Sequence, residues 1–258
     1  AGALCNLDCP YCFYLHKTKL LGHQENARMD DATLERHVRQ TIEANTGDEV
    51  VFSWQGGEPT VMGLAFYERV VELQARHRKP GQRIENDLQT NGLLLDERWV
   101  AFLAEHAFMV GLSIDGPREL HDRHRITRQG GPTFDRVMAA ANTLRRHGVP
   151  FNTLTCVHRL NAKKPLDVYR FLRRELQSTY IQFIPIVQKK GFETAAPLLE
   201  DPARLPVLGS PQARPDHPDS VVTDWSVDPE DYGYFLSRVF DEWRRKDLGK
   251  VLVSQFET

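Results

Sequence analysis

The chain has 258 residues, with 33 basic and 35 acidic side chains and a formal net charge of -2 at pH 7. Hydrophobic residues make up 41% of it, which excludes the disordered and fibrous classes and suffices for one large α/β domain or two small ones. The charges are well mixed and no apolar run approaches the ~20 residues of a spanning helix, so neither nucleic acid nor a membrane is expected as a partner.

Amphipathic helices alternate with short apolar runs along most of the chain. Strands are predicted just before Cys5 and over 49–54, 84–88, 108–112, 151–157 and 180–187. Helices are predicted to begin at Asp30 or Asp31 and at Asp96, and to carry apolar stripes over 66–73, 134–144 and 166–176. A β-then-α unit that repeats every ~30–40 residues predicts an α/β fold with a parallel sheet wrapped by helices. A TIM-like barrel and a doubly wound open sheet both fit this order.

Residues 188–228 interrupt the alternation. Six of the fifteen prolines lie between Pro197 and Pro218, which predicts an irregular loop that is either a tolerated insertion or a cover over a site. Beyond it, an apolar stripe predicts a core helix, made by Tyr232, Phe235, Leu236, Val239, Phe240 and Trp243. A last strand is predicted to start at Val251. The expected domains are therefore a core over 1–187, an insert over 188–228, and a helix and strand over 229–258.

Three of the four cysteines lie within eight residues, in the C-x-x-x-C-x-x-C spacing of Cys5, Cys9 and Cys12. One polar loop of this spacing can bring three thiolates to a single centre. A four-iron cluster normally takes four thiolates, so three protein ligands leave one iron open, and an open metal position is typical of catalysis. Clustered thiols of this kind indicate a metal or cluster site in a reducing compartment, the cytoplasm, and argue against a disulfide framework.

The same residues allow a structural alternative. His16, four residues after Cys12, could complete a three-Cys, one-His zinc site, which would make the chain a zinc-stabilised α/β binding module. The fourth cysteine, Cys156, lies in an apolar strand and is predicted to belong to the core.

Several motifs, taken in order, resemble those of a known superfamily. Cys5, Cys9 and Cys12, with Tyr11 before the last cysteine, match the signature of radical S-adenosylmethionine (SAM) enzymes, and Gly56-Gly57-Glu58-Pro59 resembles their GGEP motif. The longer strings at 5–14, 55–60, 88–92 and 111–117 resemble the anaerobic sulfatase-maturating enzymes of the SPASM-containing branch. The likeness runs from Cys5 to about Val187.

The resemblance implies a partial (β/α)6 TIM-like barrel with a 4Fe-4S cluster on Cys5, Cys9 and Cys12. It further implies that SAM is cleaved to a 5′-deoxyadenosyl radical, which takes a hydrogen from a Cys or Ser side chain of a sulfatase to give formylglycine. The implied partners are a sulfatase or other peptide and an electron donor such as flavodoxin or ferredoxin. A peptide-modifying maturase that forms thioether or carbon–carbon crosslinks is the alternative within the superfamily.

Site residues follow from the resemblance by position. Tyr11 and Val187 would contact the adenine, and Gly57 would bring backbone close to the methionine amine of SAM. Ser113 and Arg125 would bind the carboxylate or ribose, since a guanidinium matches a carboxylate. Gln55, together with residues 89–91, would line the substrate side.

Plainer roles are open for several of these positions. Ser113 and the 90–91 pair could cap strand ends, and the basic run 123–128 around Arg125 could be a solvated surface. Asp115 is interpreted as a turn residue. Glu58 could bond either to backbone or to the SAM amine.

The resemblance also implies a C-terminal region that this sequence does not contain. In the family that region carries auxiliary clusters and a proposed general-base aspartate. We therefore expect the sequence to lack its true N-terminus, and at the other end either to continue beyond Thr258 or to be a truncated form, with its general base unassigned.

Overall fold

The computed structural model describes residues 2–14, 28–191, 203, 205–207 and 209–256. Its strands are β1 (Glu49–Trp54), β2 (Arg83–Thr90), β3 (Met109–Ser113), β4 (Phe151–Val157), β5 (Tyr180–Pro185) and β6 (Leu252–Val253). They form one six-stranded sheet in the order β1-β2-β3-β4-β5-β6. The pairs β1–β2, β2–β3, β4–β5 and β5–β6 are all parallel. The predicted α/β fold with a parallel sheet is confirmed.

Seven α-helices precede, separate or follow the strands in the described part of the chain. They are α1 (Asp31–Ala44), α2 (Leu64–His77), α3 (Glu97–Glu105), α4 (Arg118–His121), α5 (Phe134–Arg146), α6 (Pro165–Arg170) and α7 (Pro229–Lys246). Asp30 caps α1 by accepting from the backbone N–H of Thr33, and Asp96 caps α3 through Trp99 in the same way. None of the described helices is long and apolar enough to cross a membrane.

The described residues divide into two compact units. The first unit comprises residues 2–6, 28–112 and 135–151, and the second comprises 7–14, 113–134 and the described residues from 152 onwards. In the first unit, β1 alternates exposed and buried side chains, and Val50, Phe52 and Trp54 face the core. In the second unit, α6 packs against α7. The core face of α7 is made by Phe235, Val239 and Trp243.

Three elements differ from the sequence predictions. The segment before Cys5 is not a strand, although Gly57 N donates to Gly2 O at 2.9 Å and Glu58 N donates to Leu4 O at 2.7 Å. The predicted helix over 166–176 is α6 followed by a π-helical turn, Phe171–Glu175, closed by Leu176 N donating to Phe171 O. The last strand covers only Leu252–Val253.

Two further predictions concern the C-terminal third of the chain. In the stripe on α7, Phe240 is not core: it is exposed, and its ring contacts those of Trp243 and Phe256. Within the predicted insert 188–228, the described residues include a short 3-10 turn, Pro211–Ala213, and a bridge between Lys189 and Val222. Residues 192–202, 204 and 208 of that insert lie outside the described residues.

Candidate functional site

In the first unit, the Gly56-Gly57 turn lies directly against the chain that leads into Cys5. A side-chain carbon added to Gly57 would lie 2.3 Å from Leu4 O and 2.4 Å from Ala3 O, and one added to Gly56 would lie 2.3 Å from Gly2 O. Such distances are far inside van der Waals contact, so both positions require glycine. The turn therefore fixes where the cysteine loop begins.

Glu58, which follows this turn, is buried and accepts four hydrogen bonds. The donors are Thr60 N at 3.0 Å, Thr60 Oγ1 at 2.6 Å, Thr90 Oγ1 at 2.7 Å and Asn91 N at 2.7 Å. Burial raises the pKa of Glu58, while these hydrogen bonds favour its charged form. Of the two open roles, the structure supports the bond to backbone, because the carboxylate ties the end of β2 to the turn after β1.

Asn91 connects the end of β2 to the first cysteine. Its Nδ2 donates to Asn6 Oδ1 at 2.8 Å and lies 3.8 Å from Cys5 Sγ, while its Oδ1 accepts from Leu93 N at 3.0 Å. The amide is therefore oriented with its N–H groups towards the cysteine. Such N–H groups stabilise a thiolate, and hydrogen bonds to sulfur are one control on the potential of an iron–sulfur cluster.

In the second unit, Cys9 and Cys12 close one turn, with Cys12 N donating to Cys9 O at 2.9 Å. Tyr11 lies inside this turn and is buried, and its hydroxyl donates to Asp115 Oδ2. Its ring lies edge-on to His124, with centroids 5.6 Å apart, and Arg125 Cζ lies 5.8 Å from its centroid. The turn thus brings together two residues predicted to contact SAM, Tyr11 and Arg125.

Asp115 contacts both Tyr11 and Arg125, and it differs from the turn residue that the sequence suggested. Its exposed fraction is 0%. Arg125 Nε lies 3.0 Å from Oδ2 as an ion pair, although this N–H does not point directly at the oxygen, and Cys156 N donates to Oδ1 at 3.0 Å. Burial acts to raise the pKa of Asp115, but Arg125, His121, His158 and the Tyr11 hydrogen bond together outweigh it, and the net pKa is lowered. Asp115 is a buried carboxylate, which the sequence did not indicate.

Arg125 is also buried, so the basic run around it is not a solvated surface at that position. Its Nη2 lies 3.6 Å from Cys156 Sγ. Burial raises the pKa of the Cys156 thiol to about 12, so this cysteine is held protonated. It is half-buried at the end of β4 and not fully in the core as predicted.

The remaining residues that were predicted to bind SAM or substrate lie at the ends of strands or just beyond them. Ser113 ends β3 and is buried, whereas Gln55 is exposed just after β1. Val187 was predicted at the end of a strand, but β5 ends at Pro185 and the Val187 side chain is 65% exposed. Ile186 N donates to Val157 O as the last rung of the β4–β5 ladder, and Ile186 O accepts from Val227 N at 2.8 Å, a residue outside the sheet.

The thiols suit an iron–sulfur cluster in number and type. No disulfide involves any of the four cysteines, all of which are described. A single metal ion requires its ligands around one tetrahedron, whereas a four-iron cluster takes each thiolate on a different iron. Among the described residues, no three His, Cys, Asp or Glu side chains are gathered for a single ion. His16, needed for the zinc alternative, lies outside the described residues.

Comparison with known proteins agrees with this donor set and fold. Residues 2–172 match the family model of the radical SAM superfamily, and the chain belongs to that superfamily. SAM and a 4Fe-4S cluster are the cofactors of this superfamily.

Relatives of two types match nearly the whole chain. A serine-type anaerobic sulfatase-maturating enzyme of Bacteroides thetaiotaomicron is 38% identical over 257 residues, which are 100% of this chain and 59% of that protein. A cysteine-type enzyme of Clostridium perfringens is 35% identical over 254 residues, 98% of this chain and 61% of that protein. The chain thus spans about three fifths of the length of these relatives.

Solved structures also resemble this chain. The structure of anSMEcpe with bound AdoMet and the Cp18Cys peptide is 34% identical, with a TM-score of 0.79 over 100% of this chain and 62% of that one. Streptococcus suis SuiB, at 15% identity and a TM-score of 0.61, shares the fold alone.

Proposed function

We propose that the chain is the SAM-cleaving part of an anaerobic sulfatase-maturating enzyme, which converts a Cys or Ser side chain of a sulfatase into formylglycine. The observation that carries this proposal is the identity of 35–38% over 98–100% of the chain to enzymes of both the serine and the cysteine type. Since both types are similar to this degree, the target side chain is a question for experiment.

The cluster would be held by Cys5, Cys9 and Cys12, each supplying one thiolate. When bound, the cluster supplies the electron that cleaves SAM to methionine and a 5′-deoxyadenosyl radical. The residues of the chain prepare this chemistry without taking part in bond cleavage. Asn91 orients an amide N–H towards Cys5, and the Gly56-Gly57 turn fixes the entry to the cysteine loop.

The SAM molecule itself would be positioned by five residues of the chain. Tyr11 and Val187 are proposed for the adenine, Ser113 and Arg125 for the carboxylate or ribose, and Gly57 for the methionine amine. Gln55 is proposed on the substrate side, which its exposed position after β1 permits. We propose 1–187 as the barrel, 188–228 as an insert and 229–258 as the lead into a further region, where the general base is expected.

The proposed partners follow from this chemistry. The substrate is a sulfatase peptide, as the Cp18Cys peptide bound to anSMEcpe supports. An electron donor such as flavodoxin or ferredoxin would reduce the cluster, and a reducing cytoplasm would keep its thiolates available.

The test is anaerobic reconstitution of the chain with iron and sulfide, followed by reduction with SAM and chromatography for 5′-deoxyadenosine. We expect a brown protein that releases 5′-deoxyadenosine, and a Cys9→Ala variant that releases none. Cys156→Ala is the matched control, because it removes a thiol of the second unit outside the cysteine motif, and it should keep the cluster. A colourless protein that binds one zinc and leaves SAM intact would contradict the proposal.

The substrate is tested separately, with sulfatase peptides carrying Cys or Ser at the target position and the chain extended to the full length of its relatives. An aldehyde that reacts with a hydrazine probe, on either peptide, supports sulfatase maturation. If neither peptide forms an aldehyde and a precursor peptide instead loses two hydrogens on crosslinking, the crosslinking maturase is the correct function.

A further inference from the structure

The Asp115 side chain contacts two of the residues of the second unit that are proposed to hold SAM, Tyr11 and Arg125. One oxygen, Oδ2, accepts from the Tyr11 hydroxyl and pairs with Arg125 Nε at 3.0 Å. The other, Oδ1, accepts from Cys156 N at 3.0 Å. No part of the carboxylate is exposed to solvent, so it interacts with these three protein groups and not with water.

The backbone of Asp115 is held as firmly as its side chain. Its N–H donates to His121 Nδ1 at 3.3 Å, and its carbonyl accepts from Asn161 Nδ2 at 3.0 Å. His121 Nε2 in turn lies 2.9 Å from Thr133 Oγ1, which donates to Arg125 O at 2.6 Å. The carboxylate and the backbone of Arg125 are therefore fixed relative to each other by a closed set of hydrogen bonds.

A guanidinium paired in this way can still bind a second acceptor. It carries five N–H groups, and the contacts to Asp115 and Cys156 involve only Nε and Nη2. Asp115 also compensates a buried positive charge that would otherwise be costly to hold in a dry site. Fixing Tyr11 and Arg125 in advance spares SAM the entropy of ordering them.

We propose that Asp115 is a positioning residue for SAM, which sets the Tyr11 ring and the Arg125 guanidinium with one carboxylate oxygen. This inference rests on the proposed function and deepens it. It predicts that losing the carboxylate weakens SAM binding while the thiolate ligands of the cluster remain in place.

The second unit contains a close chemical match that serves as a control. Asp247 is also buried, accepts from Tyr169 OH at 2.8 Å and pairs with Arg173 Nε at 3.0 Å. This second Tyr–Asp–Arg set joins α6 and the π-helical turn to the residue that follows α7, and it includes no residue of the cysteine loop. Changes there report the stability cost of breaking such a set and nothing about SAM.

The experiment compares Asp115→Asn with Asp247→Asn, and Tyr11→Phe with Tyr169→Phe, in the cluster-loaded chain. For each protein we would measure iron content, the SAM dissociation constant by equilibrium dialysis, and the electron paramagnetic resonance spectrum of the reduced cluster with and without SAM. We expect Asp115→Asn to weaken SAM binding about tenfold and Tyr11→Phe by about threefold, and to diminish the SAM-dependent spectral change. Iron content should match wild type, and the Asp247 and Tyr169 variants should bind SAM normally.

The outcomes separate this inference from the proposed function. If wild type binds iron and SAM but Asp115→Asn and Tyr11→Phe bind SAM within about twofold of it, Asp115 is only structural and the inference is wrong. Equal weakening in the Asp247 and Tyr169 variants would also overturn it, because general destabilisation would then be the cause. If Asp115→Asn does not fold, the two Phe variants decide. A wild-type chain without iron or SAM binding overturns both proposals.

Discussion

Gly57 shows how one residue without a side chain can determine the start of the cysteine loop. Its N–H donates to Gly2 O at 2.9 Å, and the carbonyl groups of Ala3 and Leu4 occupy the space a side-chain carbon would need. The glycine was predicted to bring backbone close to the methionine amine of SAM. That role stays a prediction, and the close approach within the chain is sufficient reason for a glycine.

Replacing Gly57 with Ala should destabilise the chain by about 3 kcal/mol or more, because backbone atoms cannot move aside as a flexible side chain can. Urea unfolding followed by circular dichroism measures the loss. Gly233→Ala is the control: Gly233 lies within α7 with no atom within 4 Å of an added carbon, so the change should stabilise by about 0.5–1 kcal/mol. A Gly57→Ala protein as stable as wild type would show that the 2–4 segment is not held against the turn.

At the residue scale, local sequence patterns predicted which residue types matter but not their partners. An Asp before Gly116-Pro117 is typical of a turn, and nothing local indicates that the Asp115 side chain is buried. Its partner Tyr11 lies 104 positions away in the sequence. Burial and pairing at such separations are set by the fold, which is why the carboxylate was missed.

At the scale of elements, α6 and α7 are joined by a charged cluster centred on Glu242. Arg170 Nε lies 3.0 Å and Lys246 Nζ 2.7 Å from Glu242 Oε1. Hydrogen bonds from Arg170 and then Lys246 lower the pKa of Glu242 to about 2. The carboxylate itself is buried while both cations reach solvent, so water screens the interaction.

This pairing predicts a loss of stability in acid. The folded-state pKa of Glu242 lies below its unfolded value of about 4.3, so its contribution is complete above that pH and is lost as the pH falls towards about 2. After screening we expect Glu242→Gln to cost about 1 kcal/mol at pH 7 and much less near pH 2, where about half of the carboxylates carry a proton. The control Glu230→Gln breaks a 2.7 Å pair with Arg214 in which the Glu230 side chain is 75% exposed, and it should cost little at either pH. Equal costs at pH 7 and pH 2, from chemical denaturation, would contradict a role for ionised Glu242.

Regular elements were predictable where hydrophobic period and end signals agreed. The bounds of β1 and β4 match the prediction because each is an apolar run between breakers. The π-helical turn Phe171–Glu175 was not predictable, since Phe171, Leu172 and Leu176 can be buried by either an α or a π ladder. The early end of β5 depends on partners in distant loops, which no local pattern contains.

At the scale of the whole molecule, buried neutral histidines couple the free energy of unfolding to pH. Burial lowers the pKa of both His121 and His158 to about 4, and also lowers that of His124. His121 must be neutral for its hydrogen bonds, because Nδ1 accepts from Asp115 N and a protonated ring would carry a proton there. Folding therefore excludes protons that the unfolded chain would bind.

The sign of the effect follows from these shifts. The unfolded pKa of histidine is about 6.5, so between pH 6.5 and 4 the unfolded chain binds more protons and stability falls as the pH is lowered, by up to about 3 kcal/mol for each ring.

His158→Asn should remove its part of this dependence of stability on pH. The variant retains an acceptor for Leu160 N, which in the wild type donates to His158 Nδ1 at 3.2 Å. His217→Asn is the matched control, because Asp219 N donates to its Nδ1 at 3.1 Å in the same i to i+2 arrangement, but its side chain is 31% exposed. The measurement is urea unfolding at pH 7.5, 6 and 5. If the free energy of unfolding changes equally with pH in wild type and His158→Asn, the buried ring takes up its proton without unfolding. If the change with pH is reduced only in His158→Asn, the acid sensitivity is assigned to burial of that ring.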